Sequence, residues 1–593
     1  MSNETIKGRL KALRQLMLRE QHLDAFIFPS TDPHHGEYVP DHWKGREWIS
    51  GFDGSAGTAV VTMNEAALWT DSRYFIAAAE QLQGTEFVLM RERMEGTPTV
   101  TEWLGQCLAH NTRARVGIDG MVNTAAEVDA LKGVFDLVTD VDPLATIWTD
   151  RPAIPDAPVV IHPLEYAGED VSSKLCRIRQ ALAELQADAT LVTTLDDIAW
   201  TLNLRGSDVH CNPVFVAYLL ITANGATLFV DARKVGDRVR DYLKAYGVET
   251  ADYDRVGEYL RNMDGETMLL DPNEVNYSLW NAVGCAVKAG SSPIPAMKAV
   301  KNEREMEGFR RAMERDGVAM VKFLKWLDGK MDNGEVGELT ERSVDRQLTA
   351  FRAEQPLFRG ISFDTIAGYG AHGAIVHYEA TEESDAPLQP RGLLLLDSGA
   401  QYLDGTTDIT RTIALGPVTE EERRVYTLVL KGHIRLQTLK FPDGACGSQL
   451  DAVARSPLWE VGLNFLHGTG HGVGAYLNVH EGPHQIRMEW KPAPLHAGMT
   501  VTDEPGIYME GKFGVRIENT LLVTPYTTTE FGSFLQFEPL TLCPIDLRPV
   551  DLTLLTAEEK AWLNEYHSMV RQRLSPLLDE EHRQWLRKAT TQI

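Results

Sequence analysis

Hydrophobic and polar positions in the first half of the chain run through the same sequence of patterns twice. Amphipathic helices are predicted over 6–21 and 171–186, each followed by a short strand-like segment, Leu23-Asp24-Ala25-Phe26-Ile27 and Ala187-Asp188-Ala189-Thr190-Leu191. A hairpin pattern comes next in both: Ala59-Val60-Val61-Thr62 through Leu68-Trp69-Thr70-Asp71-Ser72-Arg73, and Leu219-Leu220-Ile221-Thr222 through Leu228-Phe229-Val230-Asp231-Ala232-Arg233. Trp48 and Trp200 fall at matching places between strand and hairpin. The order is kept at offsets of roughly 150–165 residues, which predicts two related layered α/β domains.

Proline and serine mark the seams. Pro152, Pro155, Pro158 and Pro163 predict an extended linker, because each fixes φ and removes a backbone donor. Ser291-Ser292-Pro293-Ile294-Pro295 marks a second boundary, after which 301–327 turns strongly helical with Met306, Phe309, Met313, Val318, Met320, Val321 and Leu324 as its apolar stripe. The expected domains are therefore 1–155, 156–295 and 296–593. Near the end, Thr556 and Glu559 form a capping-box pattern before a helix carrying Trp562, Leu563, Tyr566, Val570 and Leu574 on one face. That face would pack on its own domain or help a subunit contact.

Composition narrows the function. The 593 residues carry 58 Lys and Arg against 84 Asp and Glu, a formal charge of −26, with 43% hydrophobic residues. This is the make-up of a folded globular protein, and the acidic excess, without a run of basic residues, argues against nucleic acid and anionic membranes as partners. Six cysteines stand singly, with no CxxC pair, and read as reduced thiols. The polar stretch up to Met17 lacks the apolar core of a secretory signal, and the longest apolar runs fall far short of the ~20 residues a membrane span needs. A cytoplasmic location is expected. The glycine-rich Ser50-Gly51-Phe52-Asp53-Gly54-Ser55-Ala56-Gly57-Thr58 lacks the Gly-Lys-Ser/Thr ending of a phosphate loop and reads as a tight turn entering a strand.

Candidate chemistry lies beyond residue 360. Leu393-Leu394-Leu395-Leu396-Asp397 is an apolar strand ending in an acid, and a turn near 402–404 folds the chain back so that Asp397 and Asp408 sit on neighbouring strands. Two buried like charges side by side are costly unless a cation neutralises them. Next comes His467-Gly468-Thr469-Gly470-His471-Gly472-Val473-Gly474, leading to Asn478-Val479-His480-Glu481-Gly482-Pro483. The small residues there leave room for a ligand to approach the backbone. Asp503-Glu504-Pro505-Gly506 places an acid before a turn, and 514–523 reads as one strand with Arg516, Glu518 and Thr520 on one face. His377 follows a short apolar run. Four carboxylates and one imidazole at ligand-like places suit two divalent ions of the Mn²⁺, Co²⁺ or Zn²⁺ type.

In order and spacing, Asp397, Asp408, His471, Glu504 and Glu518 resemble the dinuclear metal site of the pita-bread metallopeptidases of family M24, which include methionine aminopeptidase, prolidase and aminopeptidase P. The His467–Gly474, His480–Pro483, Asp503–Gly506 and Arg516–Asn519 motifs, with the glycine loop at 50–58 and Trp69-Thr70-Asp71-Ser72-Arg73-Tyr74-Phe75, are similar to the long, three-domain cytosolic Xaa-Pro aminopeptidases. The resemblance implies an α/β (α+β) chain: two creatinase-type N-terminal domains and a pita-bread catalytic domain with a C-terminal helical extension. It implies hydrolysis of the bond between a first residue and a following proline by a hydroxide held between two metal ions, Mn²⁺ foremost. Asp397 would chelate one ion, His471 and Glu504 the other, with Asp408 and Glu518 bridging and Glu504 shuttling the proton. His480 would stabilise the oxyanion, His377 and His467 would line the substrate pocket, and Arg516 would orient the bridging carboxylates. A homodimer is implied as well. Alternatives are a prolidase, restricted to dipeptides; a metal-free creatinase, which the five ligands disfavour; and a non-catalytic peptide- or histone-binding module, which would lack ligands.

Overall fold

The computed structural model describes residues 2–109, 111, 113–334 and 336–593. By its internal contacts the chain forms two units, one running to His162 and from Glu169 to Ile294, the other comprising Pro163–Gly168 and Pro295–Ile593.

In the first unit two six-stranded sheets share one topology. The first is ordered Phe87–Arg91, Ala66–Thr70, Thr58–Thr62, Ala25–Phe28, Arg115–Ile118, Asp136–Val138; the second Val248–Ala251, Ala226–Phe229, Tyr218–Thr222, Ala189–Val192, Thr267–Leu270, Ala286–Ala289. Strand polarity also matches at every pairing, antiparallel at the hairpin and its junction with the opening strand, parallel elsewhere. A chance likeness between two α/β segments does not reproduce both order and polarity, so the repeat read from the sequence is structural. The opening helices are Asn3–Leu16, continued by a wider turn over Met17–Gln21, and Val171–Glu184. Ser2 and Asp170 cap them by accepting from backbone amides of the first turn. Gly51, at φ +79°, ends the helix Gly45–Ser50 in the left-handed conformation that glycine adopts without strain, and the loop beyond it enters the strand Thr58–Thr62. This is the tight turn expected there.

The second unit opens on the helix Glu303–Asp332. Asn302 caps it, accepting from the amides of Arg304 at 2.9 Å and Glu305 at 3.1 Å, while Glu305 accepts from the Asn302 amide at 3.0 Å. Phe309, Met313, Val318, Met320, Val321 and Leu324 are buried along it, the stripe predicted from spacing. The strand Leu393–Ser398 lies between Ile366–Tyr369 and Ile409–Ala414, both antiparallel to it. A four-stranded sheet runs Lys440–Pro442, Gly532–Pro539, Asn519–Thr529, Thr500–Asp503, with the strand pairs Gly470–Gly472/Glu481–Ile486 and Gly506–Met509/Phe513–Arg516 beside these.

One expectation changes here, and one left open is decided. The single strand over 514–523 is two, Phe513–Arg516 and Asn519–Thr529, in different sheets. At the break the Ile517 amide donates to Pro505 and the Glu518 amide to Thr410, so the chain changes partners while side-chain alternation continues. The C-terminal helix Ala557–Leu574 buries Leu563, Tyr566, Val570 and Leu574 in a core with Val425, Val429 and Leu542 of its own unit. That apolar face is consumed internally.

Candidate metal centre

Strand register places the first two acids. Asp397 pairs with Thr410 across the ladder, and Asp408 stands just before the partner strand begins at Ile409, so the carboxylates come from neighbouring strands with offset backbones. Thr520 Oγ1 donates to the Asp408 carbonyl at 3.0 Å and fixes that turn. His471 lies on the short strand Gly470–Gly472, and its Nδ1 bonds the Gly472 carbonyl at 2.8 Å. Nδ1 therefore donates to that carbonyl, and Nε2 is turned towards Asp408 Oδ2 at 3.4 Å and Glu504 Oε1 at 3.5 Å. The three atoms converge at the spacing of co-ligands around one cation with metal–ligand bonds of about 2.1 Å. Asp408, His471 and Glu518 all offer ligand atoms within 4.8 Å of one another.

Arg516 was expected to orient the bridging carboxylates, but its Nε and Nη2 donate to Asp397 Oδ2 at 3.2 and 2.7 Å and it reaches Glu518 only through Thr410 Oγ1; Asp397 Oδ1 is left buried without a hydrogen bond. Thr410 Oγ1 donates to Glu518 Oε2 at 2.7 Å. Burial pushes the Glu504 carboxyl up to about 8 despite Arg516, with Asp408 and Asp397 adding repulsion. Burial, then Asp408 and Glu504, holds Glu518 well above its usual range, and burial raises Asp397 against the pull of Arg516. Burial opposes the Arg516 charge, but Tyr508, Asp397 and Glu504 outweigh it and raise its pKa. One guanidinium cannot balance three buried carboxylates and a half-buried fourth, Glu504. An orphaned carboxylate oxygen, an imidazole nitrogen aimed at two carboxylates and a surplus of hard oxygen donors fit divalent metal ions.

His480 and His467 reach the site by their rings, and the backbone beside His377 reaches it through Arg516. The His480 ring is 4.3 Å from that of His471, nearly perpendicular to it. His467 Nδ1 bonds the Gly468 carbonyl and Nε2 lies 2.7 Å from the Tyr508 hydroxyl, which also accepts from Arg516 Nη1 at 2.7 Å. A continuous chain thus runs His467–Tyr508–Arg516–Asp397. His377 follows Val376, whose carbonyl accepts from Arg516 Nη2 at 3.3 Å. Its loop is held by Glu341, a fully buried acid that accepts from Tyr369 N at 2.7 Å, His372 Nδ1 at 2.9 Å, Tyr378 OH at 2.8 Å and Ala386 N at 3.0 Å.

The glycines around His471 serve a different purpose from the one expected. A Cβ at Gly470 would overlap the Thr502 carbonyl oxygen, and one at Gly472 would meet the Glu481 carbonyl and the His484 ring. The space they leave is filled by the protein's own strands, which close in behind the ligands. Sequence reasoning gave Tyr508 and Glu341 no role. Tyr508 stands two residues beyond the Asp503–Gly506 motif and could have been noticed there, whereas nothing local distinguishes Glu341 from an ordinary first-turn acid.

Residues 307–525 match metallopeptidase family M24 and 533–593 its C-terminal region, while 9–151 and 150–305 each match a creatinase/prolidase N-terminal domain. The chain is 40% identical to aminopeptidase P1 of Arabidopsis thaliana over 98% of its own length and 99% of that protein's. The chain belongs to metallopeptidase family M24. Within M24 it is also 40% identical to Xaa-Pro aminopeptidase 1 of Dictyostelium discoideum, over 99% of this chain and 96% of that one. Its fold matches the crystal structure of an X-prolyl aminopeptidase from Caenorhabditis elegans, a cytosolic enzyme with a dinuclear active site, at TM-score 0.95 and 36% identity over 99% and 100% of the two chains. An Xaa-Pro dipeptidase from Bacillus anthracis aligns at TM-score 0.52 and 26% identity, covering 64% of this chain and 99% of its own.

Proposed function

We infer that this chain is an Xaa-Pro aminopeptidase, a metal-dependent hydrolase that releases the first residue of a peptide when proline is second. The observation that carries this is the end-to-end match to Xaa-Pro aminopeptidases, both creatinase-type domains included. The dipeptidase alternative is the weaker one because its representative accounts for 64% of this chain. The intact donor set speaks against a creatinase-like or a purely peptide-binding role. The domain division at 155 and 295 belongs to this reading, supported by family matches that meet at 150–151 and a contact-defined unit that ends at Ile294.

Asp397 would hold one ion and His471 with Glu504 the other, with Asp408 and Glu518 shared between them. When bound, two such ions supply a polarised scissile carbonyl and a water acidic enough to attack it near neutral pH. Manganese suits the four oxygen donors and single nitrogen. Glu504 takes the proton of that water and returns it to the departing proline nitrogen. His480, beside His471, donates to the developing oxyanion. His377 and His467 line the pocket, and the His467–Tyr508–Arg516 chain fixes the side of Asp397 that faces away from the ions. A proline amide has no N–H, so a pocket shaped for its ring takes the place of a donor–acceptor contact at that position. Among the described residues no helix is long and apolar enough to cross a membrane. A cytoplasmic homodimer completes the proposal.

The test is release of arginine from an Arg-Pro-Pro peptide by purified protein, before chelation, after it, and after return of Mn²⁺. Metal-dependent release is expected. Cleavage of Gly-Pro without release from the tripeptide would transfer the chain to the dipeptidases, and inactivity on both would leave the binding module.

A further inference from the structure

Glu518 sits where one strand has ended at Arg516 and the next begins at Asn519, so no β-ladder holds its peptide. Its amide donates to the Thr410 carbonyl at 3.1 Å. Its carbonyl accepts from Arg411 Nη1 at 2.6 Å. Arg411 follows Thr410 on the strand Ile409–Ala414 and so points to the opposite face from the hydroxyl that binds the Glu518 carboxylate. Thr410 therefore holds Glu518 by its carboxylate and its amide, and Arg411 holds it by its carbonyl.

Arg411 is 2% exposed, and its hydrogen bonds all go to uncharged acceptors. Nε reaches the Pro544 carbonyl at 3.0 Å; Nη1 also reaches the Thr410 carbonyl at 3.0 Å; Nη2 reaches Asn519 Oδ1 at 2.9 Å, the Cys543 carbonyl at 2.9 Å and Tyr566 OH at 3.0 Å. A buried guanidinium without a carboxylate on it is expensive as mere scaffolding. Tyr566, on the C-terminal helix Ala557–Leu574, donates in turn to the Thr541 carbonyl at 2.9 Å and lies 3.3 Å from Asn519 Oδ1.

A second branch leaves the same helix. Trp562 stacks on Tyr566 at 5.2 Å and sets its ring perpendicular to His433, 6.1 Å away. His433 Nδ1 is 3.1 Å from Asp503 Oδ2, and Nε2 accepts from Gln437 Nε2 at 2.6 Å. Gln437 Oε1 accepts from Asn519 Nδ2 at 3.4 Å. Both branches end one residue from a candidate metal carboxylate: Asn519 beside Glu518, Asp503 beside Glu504.

We propose that Arg411 and Tyr566 are positioning residues for Glu518, and that the C-terminal helix is through them a working part of the metal centre as well as a cover for the core. This rests on the reading of Glu518 as a metal ligand. Substrate never touches this layer. Its effect is on where the Glu518 oxygens stand, and hence on how tightly an ion is held.

The experiment compares wild type, Tyr566→Phe and Trp562→Leu, each chelated and then titrated with Mn²⁺, with bound metal counted, thermal unfolding of the chelated form recorded, and kcat and KM measured at limiting and excess Mn²⁺. Tyr566→Phe keeps the ring and loses only the hydroxyl. It should weaken one of the two Mn²⁺ affinities by about tenfold, as outer partners of metal ligands do, with kcat falling at limiting Mn²⁺, recovering in excess, and KM steady. Trp562→Leu removes packing but no hydrogen bond to Arg411, and should lower the unfolding temperature with both affinities within about twofold of wild type. Arg411→Lys, which keeps the charge but cannot reach the Glu518 carbonyl and the Tyr566 hydroxyl together, is the reserve variant if Tyr566→Phe does not fold, with the same loss expected. Unchanged Mn²⁺ affinity in Tyr566→Phe overturns the proposal, as does loss of affinity in step with unfolding temperature in both variants. A wild-type chain that binds no Mn²⁺ brings down the underlying metal-site reading, and the proposal with it.

Discussion

At residue scale the pair Asp503 and Glu504 shows how one strand end divides its labour: the first faces back to His433, the second lies 3.5 Å from His471 Nε2. Alternation along an extended chain forces neighbours apart in this way. The Glu504 carboxyl is lifted from 4.5 to about 8, and Glu518 and Asp397 are raised with it, all chiefly by burial. A carboxyl raised on folding lends stability that is complete below its unfolded pKa and is lost as pH climbs through the folded one. The chelated protein should therefore lose thermal stability as pH rises between 4.5 and about 8, while the metal-loaded protein stays flatter; scanning fluorimetry at a series of pH values checks this. Two substitutions separate ligand from donor. Asp408→Ala should abolish turnover together with bound metal, whereas His480→Ala should lower turnover by ~100-fold or more with metal content intact. Equal metal loss in both variants would remove His480 from the role of oxyanion donor. At this scale the sequence was most informative. All five proposed ligands and the three further histidines stand in short motifs, and spacing together with charge cost pointed to them. Arg411, His433 and Glu341 escaped notice because their partners lie far along the chain, and a single buried charge has no local signature.

At element scale the contacts are decided by glycine. Gly470 lets the strand Gly470–Gly472 approach Thr500–Asp503 more closely than any side chain allows. Gly470→Ala should force the two apart, costing about 1–3 kcal/mol by overpacking and carrying His471 away from Asp408 and Glu504. Urea unfolding and metal content should fall together, and full retention of both would show that the strands have slack. The repeated domains were readable because each strand is short, apolar and bounded by turns. The break between Arg516 and Asn519 was not: side chains keep their two-residue alternation across it, and only the backbone partners change. The same holds for the C-terminal helix, whose cap and apolar face were plain in sequence. What that face meets depends on Val425, Val429 and Leu542, more distant in the chain.

At the scale of the whole molecule, the chemistry and the duplication lie in different units. The paired sheets contribute none of the five proposed ligands, and the −26 charge is far larger than those four carboxylates explain, so most of it is solvated surface. Glu341 carries one more consequence. With both oxygens committed to four donors from Tyr369, His372, Tyr378 and Ala386, it pins both ends of the segment that carries His377. With His377 in its proposed place at the pocket, such a segment is a wall of the reaction chamber and not a door to it. Catalysis then waits on no closing step there, and kcat should hold its value as solvent viscosity is raised with sucrose. A kcat that falls in proportion to viscosity would reveal a gate that this clamp does not provide.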